Sequence, residues 1–207
     1  FALCSFHETI PILMSDIPAL PPSDAEVVLM TLKEPNQYGI LVERYEAKLK
    51  RYITRLGVRN HDDQLDVLQE IFIKAYRNLN SFDTSFSFSS WIYRIAHNEA
   101  ISWYRKRNVR PEGHLVGDSE DLIGFIRSKE ESVDVLFDKG INASEVAKAL
   151  EQLDDKYREP IVLRFFEHKE YDEISDILQI PIGSVGTLIH RGKKQLANVL
   201  NKDNLRI

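Results

Sequence analysis

From Ala25 onward, apolar residues recur every three or four positions, the spacing that aligns them on one face of an α-helix. Leu41, Val42, Tyr45, Leu49, Tyr52, Ile53 and Leu56 form one such stripe, and Gly57 follows as a helix C-cap. A second helix is predicted over His61–Leu79, with Leu65, Leu68, Phe72, Ala75 and Leu79 on its apolar face. The serine- and phenylalanine-rich loop SFDTSFSF separates it from a third helix over Ser89–Arg107, which ends in Arg105, Lys106 and Arg107. No period-two alternation of useful length occurs, so an all-α block is expected.

Residues 108–143 break the pattern. Pro111, Gly113, Gly117, Gly124 and Gly140 punctuate an acid-rich stretch that reads as a linker, with one short helical piece around Leu122–Arg127. Helical spacing resumes at SEVAKALEQL, where Ser144 is the expected N-cap. DDKYREPIVLRFFEH, YDEISDIL and SVGTLIHRGKKQLANVL follow, enough for a compact second bundle. Ahead of all this, FALCSFHETIPIL lacks a basic n-region and a small-residue cleavage site, and SDIPALPPSD holds three prolines. The expected organisation is an all-α chain of two small helical domains: residues 1–24 a tail or non-native extension with translation starting near Met14, then 25–110, an acidic linker 111–143, and 144–207.

Composition narrows the class. Of 207 residues, 43% are hydrophobic and 29% charged, which excludes wholesale disorder, and no apolar run approaches a membrane span. The single cysteine, Cys4, excludes a disulfide framework and any multi-thiolate zinc site. The net charge of −5 conceals a segregation: −4 over residues 1–42, +5 over 43–110, −8 over 111–155 and +2 over 156–207. Two basic blocks flanking an acidic one suggest an anionic partner gripped at two places.

The stretch YDEISDILQIPIGSVGTLIHRGKKQL (Tyr171–Leu196) carries the sharpest signal. Ile174, Ile177, Leu178, Ile180, Val185 and Ile189 supply the core of two helices joined by a tight turn. The second is basic through Arg191, Lys193 and Lys194, and no acid occurs between Ile177 and Lys202. That is the helix-turn-helix pattern, whose second helix enters a DNA major groove. In the first block, Trp91, Arg94, Asn98, Ile101 and Arg105 share a helical stripe, with His97, Ser102 and Tyr104 at its margins. Rings interleaved with cations and amides suit unstacked bases and phosphates, although one such stripe can equally be a core face beside a solvated one.

DVLQEIFIKAYRNLNSFD (Asp66–Asp83) and FSSWIYRIAHNEAISWYRKR (Phe88–Arg107) together resemble region 2 of the bacterial extracytoplasmic-function sigma factors, group 4 of the sigma-70 family. REPIVLRFFEHKEYDEISDILQIPIGSVGTLIHRGKKQL (Arg158–Leu196) resembles region 4 of the same family, in the right order and across an acidic linker. The resemblance implies a factor that binds core RNA polymerase, directs it to promoters and helps open the −10 element. Asp66, Gln69, Glu70, Ile73 and Arg77 would then bind polymerase, with Ile73 an apolar residue among polar ones. Phe86, Phe88, Trp91, Arg94, His97, Asn98, Arg105 and Lys106 would bind the −10 element and its melted non-template strand. Arg164, Tyr171, Gly186, Thr187, His190, Arg191 and Lys194 would bind the double-stranded −35 element. The linker would thread the polymerase channel. An anti-sigma partner, often one that holds the factor at the membrane, is also implied, as is a cytoplasmic location.

The chain departs from the family at Gly186 and Leu188, where basic residues are common, at Gln179, where glycine usually makes the turn, and at Ser175, where alanine is usual. Gln179 is expected to need a left-handed backbone. No catalytic, cofactor or metal role is expected, and no small-molecule substrate. His61, Asp62 and Asp63 read as a helix start, His97 and Glu99 point in different directions from one helix, and His168 and His190 read as surface or DNA-facing residues. A stand-alone helix-turn-helix regulator is the alternative; the linker and the Asp66–Arg77 block argue against it.

Overall fold

The computed structural model describes residues 21–107 and 143–204. The acidic segment, the short helix expected around Leu122–Arg127 and residues 1–20 lie outside the described residues. Among those described there is helix and turn but no strand.

Helix α1 (Asp24–Lys33) starts one residue ahead of the expected boundary because Ser23 caps it. The Ser23 hydroxyl accepts from the Glu26 amide, and the Glu26 carboxylate accepts from the Ser23 amide at 2.7 Å, a reciprocal capping box. Asp24 then ties α1 to the next helix through an ion pair with Arg44 at 2.7 Å and a hydrogen bond from the Tyr45 hydroxyl. Helix α2 (Tyr38–Arg55) buries Leu41, Tyr45, Leu49, Tyr52 and Ile53, as its stripe predicts. The chain reverses at Gly57, whose φ of +113° strains any residue with a Cβ.

Helix α3 (His61–Arg77) is capped by Asn60, whose side chain accepts from the amides of Asp62 and Asp63. His61, Asp62 and Asp63 are therefore a helix start; Asp63 also pairs with Arg107. The buried face differs from the expected one. Leu68 and Ala75 are buried as expected, but Leu65 is 47% exposed, and Gln64, Val67 and Ile71 turn inward as well. Gln64 can be buried because its amide donates to the Val58 carbonyl at 2.9 Å and the Thr54 hydroxyl at 3.0 Å. It thereby satisfies the α2–α3 turn, which an apolar residue could not do. The helix stops at Arg77; Leu79–Ser81 is a 3-10 turn that drives Leu79 into the core. Helix α4 (Phe88–Arg107) packs across α2 and α3 through Phe88, Ile92, Tyr93, Ala96 and Ala100.

In the C-terminal bundle, α5 (Ala143–Glu151) begins one residue before the expected cap Ser144. Helix α6 (Asp155–Ile161) is capped by Asp154 and contains Pro160, whose missing N–H loosens the ladder; a π-helical turn over Val162–Phe166 follows. Helix α7 (Tyr171–Leu178) ends at Gln179, which adopts the left-handed conformation at φ 56°. Two local bonds offset its cost: Gln179 Nε2 donates to the Asp176 carbonyl at 2.6 Å, and the Ser175 hydroxyl donates to the Ile180 carbonyl at 2.7 Å. Both departures from the family pattern thus act in one turn. Helix α8 (Ile182–Asn204) buries Val185, Ile189, Leu196 and Leu200 against α5, α6 and α7. Helix α7 in turn lies on α4, so the two bundles touch.

Gly192 sits where α6 and α8 approach most closely. A Cβ there would lie 2.6 Å from Ile161 Cδ1 and 3.1 Å from the Tyr157 carbonyl oxygen, whereas at Gly186 the nearest atom would be 3.6 Å away. Overpacking of this kind costs about 1–3 kcal/mol, and alanine recovers about 1 kcal/mol of helix propensity. We expect Gly192→Ala to lower the unfolding free energy by up to about 2 kcal/mol in spite of its better propensity, and Gly186→Ala to raise it by about 0.5–1 kcal/mol. Urea unfolding of both variants checks this; an increase for Gly192→Ala would contradict the close approach.

Candidate nucleic-acid interface

The first candidate face is built by the turn before α4. Asp83 Oδ1 accepts from the Ser85 amide at 2.9 Å, and the Phe86 amide bonds back to the Asp83 carbonyl. This tight turn throws the Phe86 ring outward, leaving it 65% exposed. Its neighbours do the opposite. Phe88 is 3% exposed and meets Tyr45, Phe82 and Trp91 at centroid distances of 5.4–5.5 Å. Phe88 is therefore a core residue and cannot itself touch DNA, which corrects its assignment to the −10 site: as the first residue of α4 it falls on the helix's inner face. Trp91 is half-buried, leaning on Phe82 and Phe88.

Phe82, Phe86, Ser90, Trp91 and Arg94 line a cleft of about 290 Å³, with Asp176 of α7 on its far wall. Aromatic walls and a guanidinium are what a flat base and its phosphate require. Phe82 and Asp83 belong to the Phe82–Phe88 loop, which the family resemblance already implies for the −10 element, and both line the cleft. One turn beyond, Asn98 is exposed, and Arg105 and Lys106 are exposed at the helix end, so the stripe from Trp91 to Arg105 is continuous. His97 behaves differently. It is half-buried, its Nδ1 has no hydrogen-bond partner, and burial lowers its pKa to about 4. At neutral pH it brings no positive charge to a phosphate.

The second face lies on α3. Asp66, Gln69, Glu70 and Arg77 are exposed, and Ile73 is half-buried. Ile73 lines an apolar notch of about 290 Å³ with Tyr38, Phe72 and Tyr76, bordered by Gln69 and Arg77. The Tyr38 hydroxyl donates to the Phe72 carbonyl at 2.8 Å, and its ring meets Tyr76 edge-on at 5.1 Å. A notch with an aliphatic floor, aromatic walls and a charged rim is suited to an apolar anchor from a protein partner. Tyr76 stands one turn from Ile73, a spacing visible in the sequence; Tyr38 comes from α2 and was visible only after folding.

The third face joins three segments. The Arg164 guanidinium of the π turn lies 5.3 Å over the Tyr171 ring at the start of α7. That ring reaches within 3.6 Å of the position a Cβ on Gly186 would take in α8. Arg164 also pairs with Glu170 at 2.8 Å and donates to the Lys169 carbonyl. His190, Arg191 and Lys194 are exposed along α8, and Thr187 is half-buried beside them. Residues 187, 190, 191 and 194 share one helical face, opposite the buried Val185, Ile189 and Leu196. Among the described residues no group of three or more histidine, cysteine or acidic side chains is arranged to hold a metal, and no helix is long and apolar enough to cross a membrane.

Sigma-70 region 2 matches residues 41–110 and Sigma-70, region 4 matches residues 143–196. The chain is 34% identical to the ECF RNA polymerase sigma factor SigW of Bacillus subtilis, over 81% of this chain and 90% of that one. It is 32% identical to the ECF RNA polymerase sigma-E factor of Haemophilus influenzae, over 78% and 86%. The fold is shared with CnrH, solved in complex with the cytosolic domain of CnrY, at a TM-score of 0.64 and 24% identity over 87% of this chain and 98% of that one. It is shared too with the sigma factor RpoE of Bartonella quintana, solved with the anti-sigma factor NepR, at a TM-score of 0.59 and 22% identity over 79% and 96%. A stand-alone helix-turn-helix regulator does not account for both regions in one chain, and the protein belongs to the extracytoplasmic-function sigma factors of the sigma-70 family.

Proposed function

We propose that the chain binds core RNA polymerase through the α3 notch and directs it to promoters by gripping DNA at two separate faces. The observation that carries this is their pairing: an aromatic cleft on α4 suited to unstacked bases, and a basic helix-turn-helix face on α8 suited to a duplex. Asp66, Gln69, Glu70, Ile73 and Arg77 contact polymerase. Phe86, Trp91, Arg94, Asn98, Arg105 and Lys106 hold the melted non-template strand of the −10 element. Arg164, Tyr171, Gly186, Thr187, His190, Arg191 and Lys194 hold the −35 duplex. Phosphate contacts by the lysines set position, while an arginine fork on guanine reads sequence. The domain limits follow the same division: a tail before α1, a polymerase- and −10-binding bundle to about residue 110, a linker, and a −35-binding bundle from about 144. The protein works without cofactor or catalytic step, in the cytoplasm, where an anti-sigma partner restrains it; family membership supports these points.

Ile73→Glu is expected to cut core-polymerase binding at least tenfold while leaving the helical circular dichroism unchanged, because it puts a charge on the floor of an apolar notch. Unchanged pull-down of core polymerase would move the interface elsewhere. Phe86→Ala and Asn98→Ala are expected to weaken promoter opening more than closed-complex binding, since a stacked base contributes about 1–3 kcal/mol only once it has left the duplex. Permanganate reactivity of the melted region should fade while the closed complex persists. Both are preferred to Trp91→Ala, which also opens the core.

On α8, Arg191→Ala is expected to lower affinity and selectivity for the cognate −35 duplex by about 1–3 kcal/mol. Lys194→Ala should weaken cognate and scrambled duplexes alike and reduce the salt slope by about one counterion. Titrations on both duplexes at several salt concentrations separate the two roles; equal losses for Arg191→Ala would make it a phosphate clamp.

A further inference from the structure

An acid stands at the edge of the basic face. Glu170 immediately precedes α7, and its side chain is 69% exposed. Its carboxylate pairs with Arg164 at 2.8 Å. The Arg164 guanidinium also donates to the Lys169 carbonyl at 3.1 Å and lies over the Tyr171 ring. Both bonds use Nη1, and among the described residues none falls on Nη2 or Nε. One corner of the guanidinium is therefore held, while its other N–H groups point to a further acceptor.

The segment that carries Glu170 is fixed from several sides. The Lys169 amide donates to the Leu163 carbonyl at 2.9 Å, which folds the chain back over the π turn that bears Arg164. The reversal passes through His168 at φ 53°, an uncommon conformation for a non-glycine residue. The Glu170 amide donates to the Glu173 carboxylate at 3.0 Å, and the Glu170 carbonyl accepts from the Ile174 amide at 2.9 Å. A fixed backbone thus presents the Glu170 carboxylate to Arg164, and the Tyr171 ring beside it rests against α8 at Gly186.

A carboxylate on a DNA-binding face has two opposed effects. It repels phosphates. It also holds a long side chain in one orientation before the ligand arrives. Immobilising such a side chain on binding lowers affinity by about two- to tenfold, a loss that a side chain already held avoids. An arginine fork, moreover, discriminates guanine by its planar, two-point geometry. Carboxylate, carbonyl and ring together fix the plane of one guanidinium, which repulsion of phosphate would not require. Folding stability does not require it either, since so exposed an ion pair contributes little.

We propose that Glu170 is a positioning residue for duplex recognition: it holds the Arg164 guanidinium so that the N–H groups left over meet a guanine edge. The proposal rests on the reading of this face as the −35 site. Without Glu170, Arg164 keeps its charge for phosphates but loses its fixed aim at one base.

The test uses the holoenzyme that the full chain forms with core polymerase. Its ligands are promoter duplexes carrying either the −35 sequence it selects from a randomised pool or a scrambled one. Glu170→Ala should weaken the closed complex on the selected duplex about two- to tenfold and leave the scrambled one unchanged or tighter, so that selectivity falls. Glu170→Gln keeps an acceptor for Nη1 and should recover most of the loss. In an Arg164→Ala background, Glu170→Ala should cause no further loss. A loss of equal size with and without Arg164 would make Glu170 a helix cap only, and overturns the proposal. Unchanged or tighter binding of the selected duplex by Glu170→Ala overturns it too, because the carboxylate then does no more than repel phosphate. Failure of the −35 reading shows differently: Arg164→Ala and Arg191→Ala would both bind the selected duplex as tightly as the unaltered chain, which removes the site on which Glu170 acts.

Discussion

The aromatic cluster of Tyr45, Phe82, Phe88 and Trp91 governs the N-terminal bundle, because it fixes both where α4 begins and how it is rotated. Each ring pair in such a cluster contributes about 0.5–1.5 kcal/mol beyond the area it buries. Phe88 supplies the inward anchor, and Tyr45 is tied in turn to α1 through Asp24. With Phe88 inside, helical geometry leaves Trp91 at the margin, Arg94 one turn further and Asn98 in solvent. Rotating α4 by one residue would put Phe88 on the surface and bury a charge. The cleft on α4 is therefore a by-product of core packing, and its first aromatic wall, Phe82, is at once a core residue.

The same helix bears a second load. Its early turns carry Ser89, Ser90 and Tyr93, which meet the C-terminal bundle, and Trp91 and Arg94, which meet the cleft. The contact and the cleft therefore lie on adjoining turns of one helix. Burial first, and then the Glu167 carboxylate beside it, raises the pKa of Tyr93, so the hydroxyl stays protonated and donates. Burial would raise Glu173 as well, but bonds from the Glu170 backbone, Ser90 and Lys169 outweigh it and keep that carboxylate charged. In this contact Tyr93 donates and Glu173 accepts, which makes it orientation-specific.

In the C-terminal bundle the substitutions that look unfavourable by family pattern are compensated locally. Gln179 pays for its left-handed backbone with its own side-chain bond, and Ser175 closes the same turn where an alanine could not. Gly192 permits α6 and α8 to approach closely, and Gly186 gives the Tyr171 ring a flat seat beneath Arg164. What is lost is charge on α8. What is kept is the shape of the face, with Arg164 paired to Glu170.

Much of this was legible in the chain itself. The helical stripes of α2 and α4, the breaks at Gly57 and Gln179 and the basic recognition face follow from local rules, since a 3.6-residue period and a backbone preference act within a few residues of one another. The exposed residues of the α3 face were visible for the same reason. The inward turn of Gln64 and outward turn of Leu65 were not, because they depend on carbonyls of a neighbouring turn that only folding brings near. Nor was the burial of Phe88, which needs Tyr45 from another helix, or the neutral state of His97, which needs a low-dielectric surround. The contact of Glu167 with Arg55 joins residues 112 positions apart. Sequence spacing determined which faces this protein owns; only tertiary packing decided which of their residues are free to act, because burial and pairing are set by neighbours the local pattern does not contain.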